Sequence, residues 1–273
     1  MKKANLSVVM PVYNSSKTVI RAIKSIENQT LLPEEIIIID DKSTDNTIDI
    51  IKNYIEHKTI VKIELIELDI NSGPSVARNT GWNKSNENFI AFLDSDDSWH
   101  PQKLELQYNY MNNNLNIKLS GHKMELCINK NPNSKIINNF EDVMINNITN
   151  KMLIAKNLFT TTSNIMINND IKLRFDESMR YSEDYYLWLQ ICFENKISLI
   201  DYNLGYAYKD FTGVSGLSGN TDAMYKGSLL ISKILLKEKK ISKIIYIRRV
   251  LLRTVKFLII KLKTFLNKEK NEL

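Results

Sequence analysis

Glycine and proline are scarce in this chain, eight and five among 273 residues, and the glycine-rich phosphate loops are missing with them. No G-x-G-x-x-G follows the first apolar run, and no G-x-x-x-x-G-K-[ST] occurs anywhere. A dinucleotide oxidoreductase and a P-loop NTPase are therefore poor fits, because both cradle phosphate with such backbone. Cysteine is limited to Cys127 and Cys192, which lie far apart and near no other ligand-type cluster. That speaks against a disulfide or thiolate metal site and for reduced, buried thiols. No apolar run approaches the ~20 residues that span a bilayer. The opening "MKKANLSVVMPVYN" has too short an apolar run for a signal peptide, so the expected location is the reducing cytoplasm. Positive charge is also lacking over most of the length. The net charge is +6, yet Lys237 to Leu273 holds twelve Lys/Arg against three Glu, which leaves −3 for the first 236 residues. A mildly acidic body with a basic tail is not the pattern of a nucleic-acid binder.

What is present is an ordinary globular balance, 43% hydrophobic and 25% charged, and a clear alternation of elements in the first half. The runs "LSVVM", "EEIIIID", "VKIELIEL" and "NFIAFL" read as strands. Between them, "SKTVIRAIKSIENQ", "STDNTIDIIKNYIE" and "GPSVARNTGWNKS" read as helices, the last with proline at its start. Such alternation implies a mostly parallel, Rossmann-like sheet flanked by helices, with ligands gathered at the carboxyl ends of the strands. Asp40, Asp41, Asp94, Asp96 and Asp97 all fall at those ends and should converge on one crevice. Beyond about residue 115 the pattern loosens into asparagine-rich connections, with "RYSEDYYLWLQICFEN" the clearest helix. Gly205, Gly213, Gly216 and Gly219 fall in or just before "KDFTGVSGLSGN", which reads as a mobile loop.

The stretch "LDSDDSWHP" crowds three carboxylates into four positions. A hard divalent cation, Mn²⁺ or Mg²⁺, takes oxygen ligands from one or two carboxylates plus phosphate and water, and resolves that repulsion. The competing reading, that Asp94 or Asp96 caps the next helix, explains one aspartate well and three poorly.

Five segments, "SVVMPVYNSSKTVIRAIKSIENQT", "IIIIDDKSTDNT", "NSGPSVARNTGW", "FIAFLDSDDSWHP" and "RYSEDYYLW", resemble in order the successive motifs of the family 2 glycosyltransferases. The resemblance covers residues 6 to about 190. It implies a GT-A fold, a nucleotide-sugar donor, a divalent metal (Mn²⁺ or Mg²⁺) and inversion at the anomeric carbon. By position, Asp41, with Asp40 beside it, matches the uracil-binding carboxylate. Pro11, Val12 and Tyr13 match the loop that packs on the nucleoside, and Arg78 a basic contact to the nucleotide. Asp96 matches the ribose-and-metal aspartate and Asp97 the main metal ligand, with Asp94 supporting them from behind. Asp184 matches the catalytic base that takes the acceptor proton, with Glu183 the runner-up. The "SED" around it also reads as a helix cap. Three departures stand out. "DDKS" replaces the common "DDGS", so Lys42 needs negative-φ backbone or a different turn. Lys209 stands where a histidine often meets the diphosphate. No Q-x-x-R-W follows Asp184, which speaks against a processive synthase.

Other residues carry weaker signals. His57 reads as a solvated helix end, and His100 as the residue before a helix-starting Pro101. Trp99, Tyr186 and Trp188 read equally as core or as sugar-stacking aromatics, and His122 as a residue that could face the acceptor. In the tail, Ile247, Leu251, Val255, Leu258, Leu262 and Phe265 recur at steps of three and four, with Arg249, Arg253, Lys256 and Lys263 opposite. That pattern reads as an interfacial helix on an anionic membrane, or as a helix docked on protein. The expected organisation is a catalytic domain over 1–220, with a nucleotide-binding half (1–115) and an acceptor-side half (116–220), and a basic helical tail over 221–273. The expected activity is transfer of one sugar from a UDP-sugar (glucose, galactose or an N-acetylhexosamine) to a growing, lipid-linked bacterial surface glycan. It would take place on the inner face of the cytoplasmic membrane. A sugar-phosphate nucleotidyltransferase and a non-catalytic glycan-binding subunit are the alternatives.

Overall fold

The computed structural model describes residues 2–57, 59–209 and 219–272, without the side chains beyond 262. Two compact units result, Met1–Phe211 and Thr212–Leu273. The first unit opens with β1 (Lys3–Val12), α1 (Val19–Glu27), β2 (Leu32–Asp40), α2 (Thr47–His57), β3 (Lys62–Glu67), α3 (Pro74–Lys84) and β4 (Phe89–Phe92). It continues with β5 (Ser98–Trp99), α4 (Lys103–Asn113), β6 (Ile117–Leu126), β7 (Ile145–Ile148), α5 (Asn150–Ala155), β8 (Met166–Asn168), α6 (Glu183–Glu194) and β9 (Lys196–Ala207).

The four isoleucines of β2 show why the sheet is buried on both faces. Ile36 and Ile38 join the large core with Val19, Ile23 and Ile26 of α1 and Ile51 of α2. Ile37 and Ile39 point to the opposite face and pack with Ala77 of α3. Side chains alternate across a strand, so a continuous apolar run serves two helical layers. Gly81 lets α3 lie close to the sheet: a Cβ there would come within 2.6 Å of Val9 Cγ1.

The strand order β3-β2-β1-β4 is parallel throughout, as the alternation implies. Its direction of winding reverses between β1 and β4, which opens a crevice at their carboxyl ends. Beyond β4 the sheet becomes mixed. β8 runs antiparallel to β4 and β6, β6 pairs parallel with β9, and β9 carries β5 and β7 antiparallel on its flank. Helices no longer separate every strand there, so hairpin-like returns replace parallel crossovers.

Some expectations are corrected and others hold. The helix after "DSDD" starts at Lys103 with Gln102 at its cap position, so neither Asp94 nor Asp96 caps it. Lys42 takes a left-handed backbone, φ 63°, rather than a negative one. Its turn is held by the Ser43 N–H donating to Asp40 Oδ2 at 2.8 Å. His122 is fully buried, so it has no face for an acceptor, and Trp99, Tyr186 and Trp188 belong to the core. His100 is also buried and accepts the Gln102 N–H through Nδ1. His57 is exposed at the end of α2. Cys127 and Cys192 are buried free thiols. Gly213 and Gly216 lie outside the described residues.

The second unit is a helical hairpin of α7 (Thr221–Lys237) and α8 (Lys243–Glu272). The apolar stripe of α8 is left open, as an interfacial helix requires, but one member of its expected polar face is not. Arg249, placed by pattern on an open polar face, is 5% exposed, and its Nε donates to Ser232 Oγ of α7 at 3.2 Å. The Tyr225 ring stacks on Phe257 at 4.4 Å, and its hydroxyl lies 2.7 Å from Thr254 Oγ1. With α7 covering that side, Ile244, Ile247, Leu251, Val255, Leu258 and Leu262 form an exposed apolar stripe. Lys263 and Phe265 lie outside the described side chains. Among the described residues, no helix is long and apolar enough to cross a membrane.

Candidate functional site

The crevice is framed by four loops. Tyr13 projects from the end of β1 and is 49% exposed, whereas Val12 is buried and Pro11 half-buried. Of the three, Tyr13 offers the most open surface. Ser15 Oγ and Ser95 Oγ, 2.6 Å apart, link this loop to the aspartate loop across the β1–β4 gap. Asn14 Oδ1 accepts the Thr44 N–H at 2.8 Å, which ties the same loop to the end of β2.

Asp41 closes the side of the crevice beside α3. Its Oδ1 accepts the Ser72 N–H at 2.6 Å and its Oδ2 the Gly73 N–H at 2.8 Å. Gly73, at φ 89°, can turn its N–H this way because it has no Cβ. An ionised carboxylate has about four acceptor positions, so two such bonds leave capacity for a ligand N–H. Asp40 is buried beside it, with Oδ1 lacking a hydrogen-bond partner among the described residues.

The three aspartates after β4 have different surroundings. Asp94 Oδ1 pairs with Arg78 Nη2 at 2.9 Å, and the Thr162 hydroxyl donates to the same carboxylate. Asp97 is buried and accepts from Ser163 Oγ at 2.6 Å. Burial, and then the charges of Asp94 and Asp96, push its carboxyl well above the usual range. Asp96 is more open and pairs with Lys209 Nζ at 2.9 Å. Arg21 Nη2 donates to the Asp96 carbonyl oxygen at 2.5 Å.

Arg78 is buried rather than open to a nucleotide, and it reaches two carboxylates. Besides Asp94, its Nη1 lies 3.2 Å from Glu183 Oε1 at the start of α6. The guanidinium thus draws the aspartate loop and the first turn of α6 together across about a hundred positions of chain. Removing one partner from a buried pair of this kind costs roughly 3–5 kcal/mol, because a charge is stranded. Ser182 precedes α6 in a left-handed conformation and makes no side-chain cap bond; within "SED" it is Asp184 Oδ1 that accepts a first-turn N–H, that of Tyr185 at 2.6 Å. Glu183 is raised to about 7 by burial and by the neighbouring Asp184 charge, which Arg78 partly offsets. Asp184 is also raised, chiefly by burial, but remains partly exposed where Glu183 is buried.

Among the described residues, no group of three His, Cys, Asp or Glu side chains is placed to enclose a metal. The donor set nevertheless suits Mn²⁺ or Mg²⁺ in the open form, two carboxylates completed by phosphate and water. Asp97, buried with two like charges nearby and no ion pair among the described residues, is the group whose surroundings call for a cation. Sequence reading missed Thr162, Ser163 and Arg21. The hydroxyl run "TTTSN" was the signal for the first two, and Arg21 stands on α1 outside its buried stripe of Val19, Ala22, Ile23 and Ile26.

The family model of glycosyl transferase family 2 matches residues 7–171. The chain is similar to WfgD of Escherichia coli, a UDP-Glc:alpha-D-GlcNAc-diphosphoundecaprenol beta-1,3-glucosyltransferase. The two are 34% identical over 198 residues, 72% of this chain and 73% of WfgD. Similarity to TarP of Staphylococcus aureus, a poly(ribitol-phosphate) beta-N-acetylglucosaminyltransferase, is 45% over 115 residues, 40% of this chain and 33% of TarP. Among solved structures, S. aureus TarS 1-349 in complex with UDP-GlcNAc matches with a TM-score of 0.63 and 22% identity. That match covers 86% of this chain and 67% of TarS 1-349, and it bears on fold alone.

Proposed function

Because the chain belongs to glycosyl transferase family 2 and has the GT-A fold, we propose that it transfers one sugar, with inversion, from a UDP-sugar to a lipid-linked bacterial glycan. The observation that carries this reading is the Arg78 bridge, which brings the Asp94–Asp97 loop beside Asp184 in one crevice. Asp41 accepts the uracil N3–H and Tyr13 packs on the nucleoside. Asp96 and Asp97 would hold the divalent ion, Mn²⁺ or Mg²⁺, which would supply charge neutralisation for the diphosphate. Asp184 takes the proton of the acceptor hydroxyl as its oxygen bonds to the anomeric carbon and the sugar–diphosphate bond breaks. Arg78 keeps Glu183 and Asp94 in place behind these groups. WfgD, whose name specifies UDP-Glc and a diphosphoundecaprenol-linked acceptor, supports a UDP-sugar donor and a lipid carrier; among glucose, galactose and an N-acetylhexosamine it favours glucose.

Profiling against a panel of nucleotide sugars with Mn²⁺ tests the activity. Transfer with release of UDP is expected. Synthesis of a nucleotide sugar would point to a nucleotidyltransferase, and no turnover to a glycan-binding subunit. Calorimetry tests Asp41 separately. Cytosine has no N3–H, so UDP should bind at least about tenfold more tightly than CDP, the size of one hydrogen bond to a charged group. Equal affinities, or a preference for GDP, would remove the uracil role of Asp41.

A lipid-linked acceptor fits a peripheral position on the cytoplasmic face of the membrane. The exposed stripe of α8 inserts at the interface, while Lys243, Arg248 and Lys256, all exposed, meet anionic headgroups. From 243 to 262 the chain has no acidic residue, so two such faces opposed in a dimer would set like charges together. Co-sedimentation with liposomes should rise with anionic lipid content and fall only in part at high salt, since salt screens the charges alone. Replacing Leu251 and Leu258 together by Asp should abolish sedimentation without changing UDP affinity. Sedimentation at the wild-type level would reject the membrane role, and a dimer lost in that variant would assign the stripe to self-association.

A further inference from the structure

The cations near the aspartate loop are not equivalent. Arg78 is buried between Asp94 and Glu183 and is a fixed part of the fold. Lys209 is different: its side chain is 53% exposed, and that of its partner Asp96 is 34% exposed. It is nevertheless delivered to Asp96 by a fastened segment. Tyr208, the preceding residue, lies under the Arg21 guanidinium at 3.6 Å and has its hydroxyl 2.8 Å from Ser98 Oγ. Arg21 in turn holds the Asp96 backbone carbonyl. The two ends of the ion pair are therefore clipped to the same few residues, while the pair itself faces solvent. Exposed pairs of this kind are weak enough to exchange.

We propose that Lys209 is an exchangeable counterion of Asp96, holding the carboxylate until a divalent cation and a nucleotide diphosphate arrive together. The inference rests on the donor-site reading above. A divalent cation arriving alone must displace the ammonium from the anion that it pairs with among the described residues. When a diphosphate is also bound, the displaced ammonium gains a new partner, so the two ligands promote one another's binding. Such coupling is reciprocal by necessity.

The experiment measures Mn²⁺ affinity by electron paramagnetic resonance, with and without saturating UDP, in the wild type, Lys209→Met and Lys209→Arg. Lys209→Met should bind Mn²⁺ alone roughly three- to fivefold more tightly than the wild type, the scale of an exposed ion pair. It should also lose most of the enhancement that UDP gives, whereas Lys209→Arg should keep it. Nucleotide-free Mn²⁺ affinity that is unchanged or weakened in Lys209→Met would overturn the counterion role alone. A wild type that binds no Mn²⁺ even with UDP would remove the donor-site premise and the inference with it.

Discussion

Asp184→Asn is expected to bind UDP as the wild type does while transferring sugar at least ~10²-fold more slowly, the low end for loss of a general base. The substitution preserves shape, and its amide oxygen can still accept the Tyr185 N–H that Asp184 Oδ1 now holds at 2.6 Å. What it removes is the group that takes the acceptor proton. Burial raises the Asp184 carboxyl above its ordinary value. A base works only when deprotonated, so transfer should fall as pH drops through that raised value, and this acid limb should vanish in the variant. Single-turnover transfer across pH, with UDP calorimetry alongside, makes the comparison. Near-normal transfer by Asp184→Asn would shift the role to Glu183. That alternative starts at a disadvantage, because Glu183 is buried and already engaged by Arg78.

Asp97→Asn is expected to abolish turnover and weaken UDP binding in Mn²⁺, yet to raise the melting temperature of the metal-free protein. The two effects have one cause. In the metal-free fold burial, and then the charges of Asp94 and Asp96, disfavour the ionised form of Asp97. Its folded-state pKa therefore lies above the unfolded value, and the folded state binds the proton more tightly. Stability from this group falls as pH rises from the ordinary carboxylate value through the raised one. An amide removes that penalty and keeps an acceptor for the Ser163 hydroxyl. Thermal unfolding near neutral pH, with and without Mn²⁺ plus UDP, should show a stabilised variant that no longer responds to the ligands. Activity that survives EDTA undiminished would reject the metal role, and a destabilised metal-free variant would reject the electrostatic account of Asp97.

Sequence alone determined the parts of this protein that depend on short-range pattern. The four isoleucines of β2, the apolar spacing of α1 and α2 and the proline that opens α3 each specify an element within about ten residues. Their alternation implied a parallel sheet with Asp40, Asp41 and the Asp94–Asp97 loop at the carboxyl ends of its strands, whereas the order β3-β2-β1-β4 came only with the tertiary structure. Tertiary structure alone decided which groups those carboxylates meet. Arg78 lies 16 residues from Asp94 but 105 from Glu183, and Ser163 lies 66 from Asp97. No local periodicity encodes contacts across such distances; they arise when a mixed sheet brings β8 against β4. The tail shows the same limit in another form. Its residue spacing specified a helix with two unlike faces. Which face is covered depended on Ser232 and Tyr225 of α7, whose polar atoms could satisfy Arg249 and Thr254. A buried guanidinium needs such partners, so α7 took the polar side and left the apolar stripe outside.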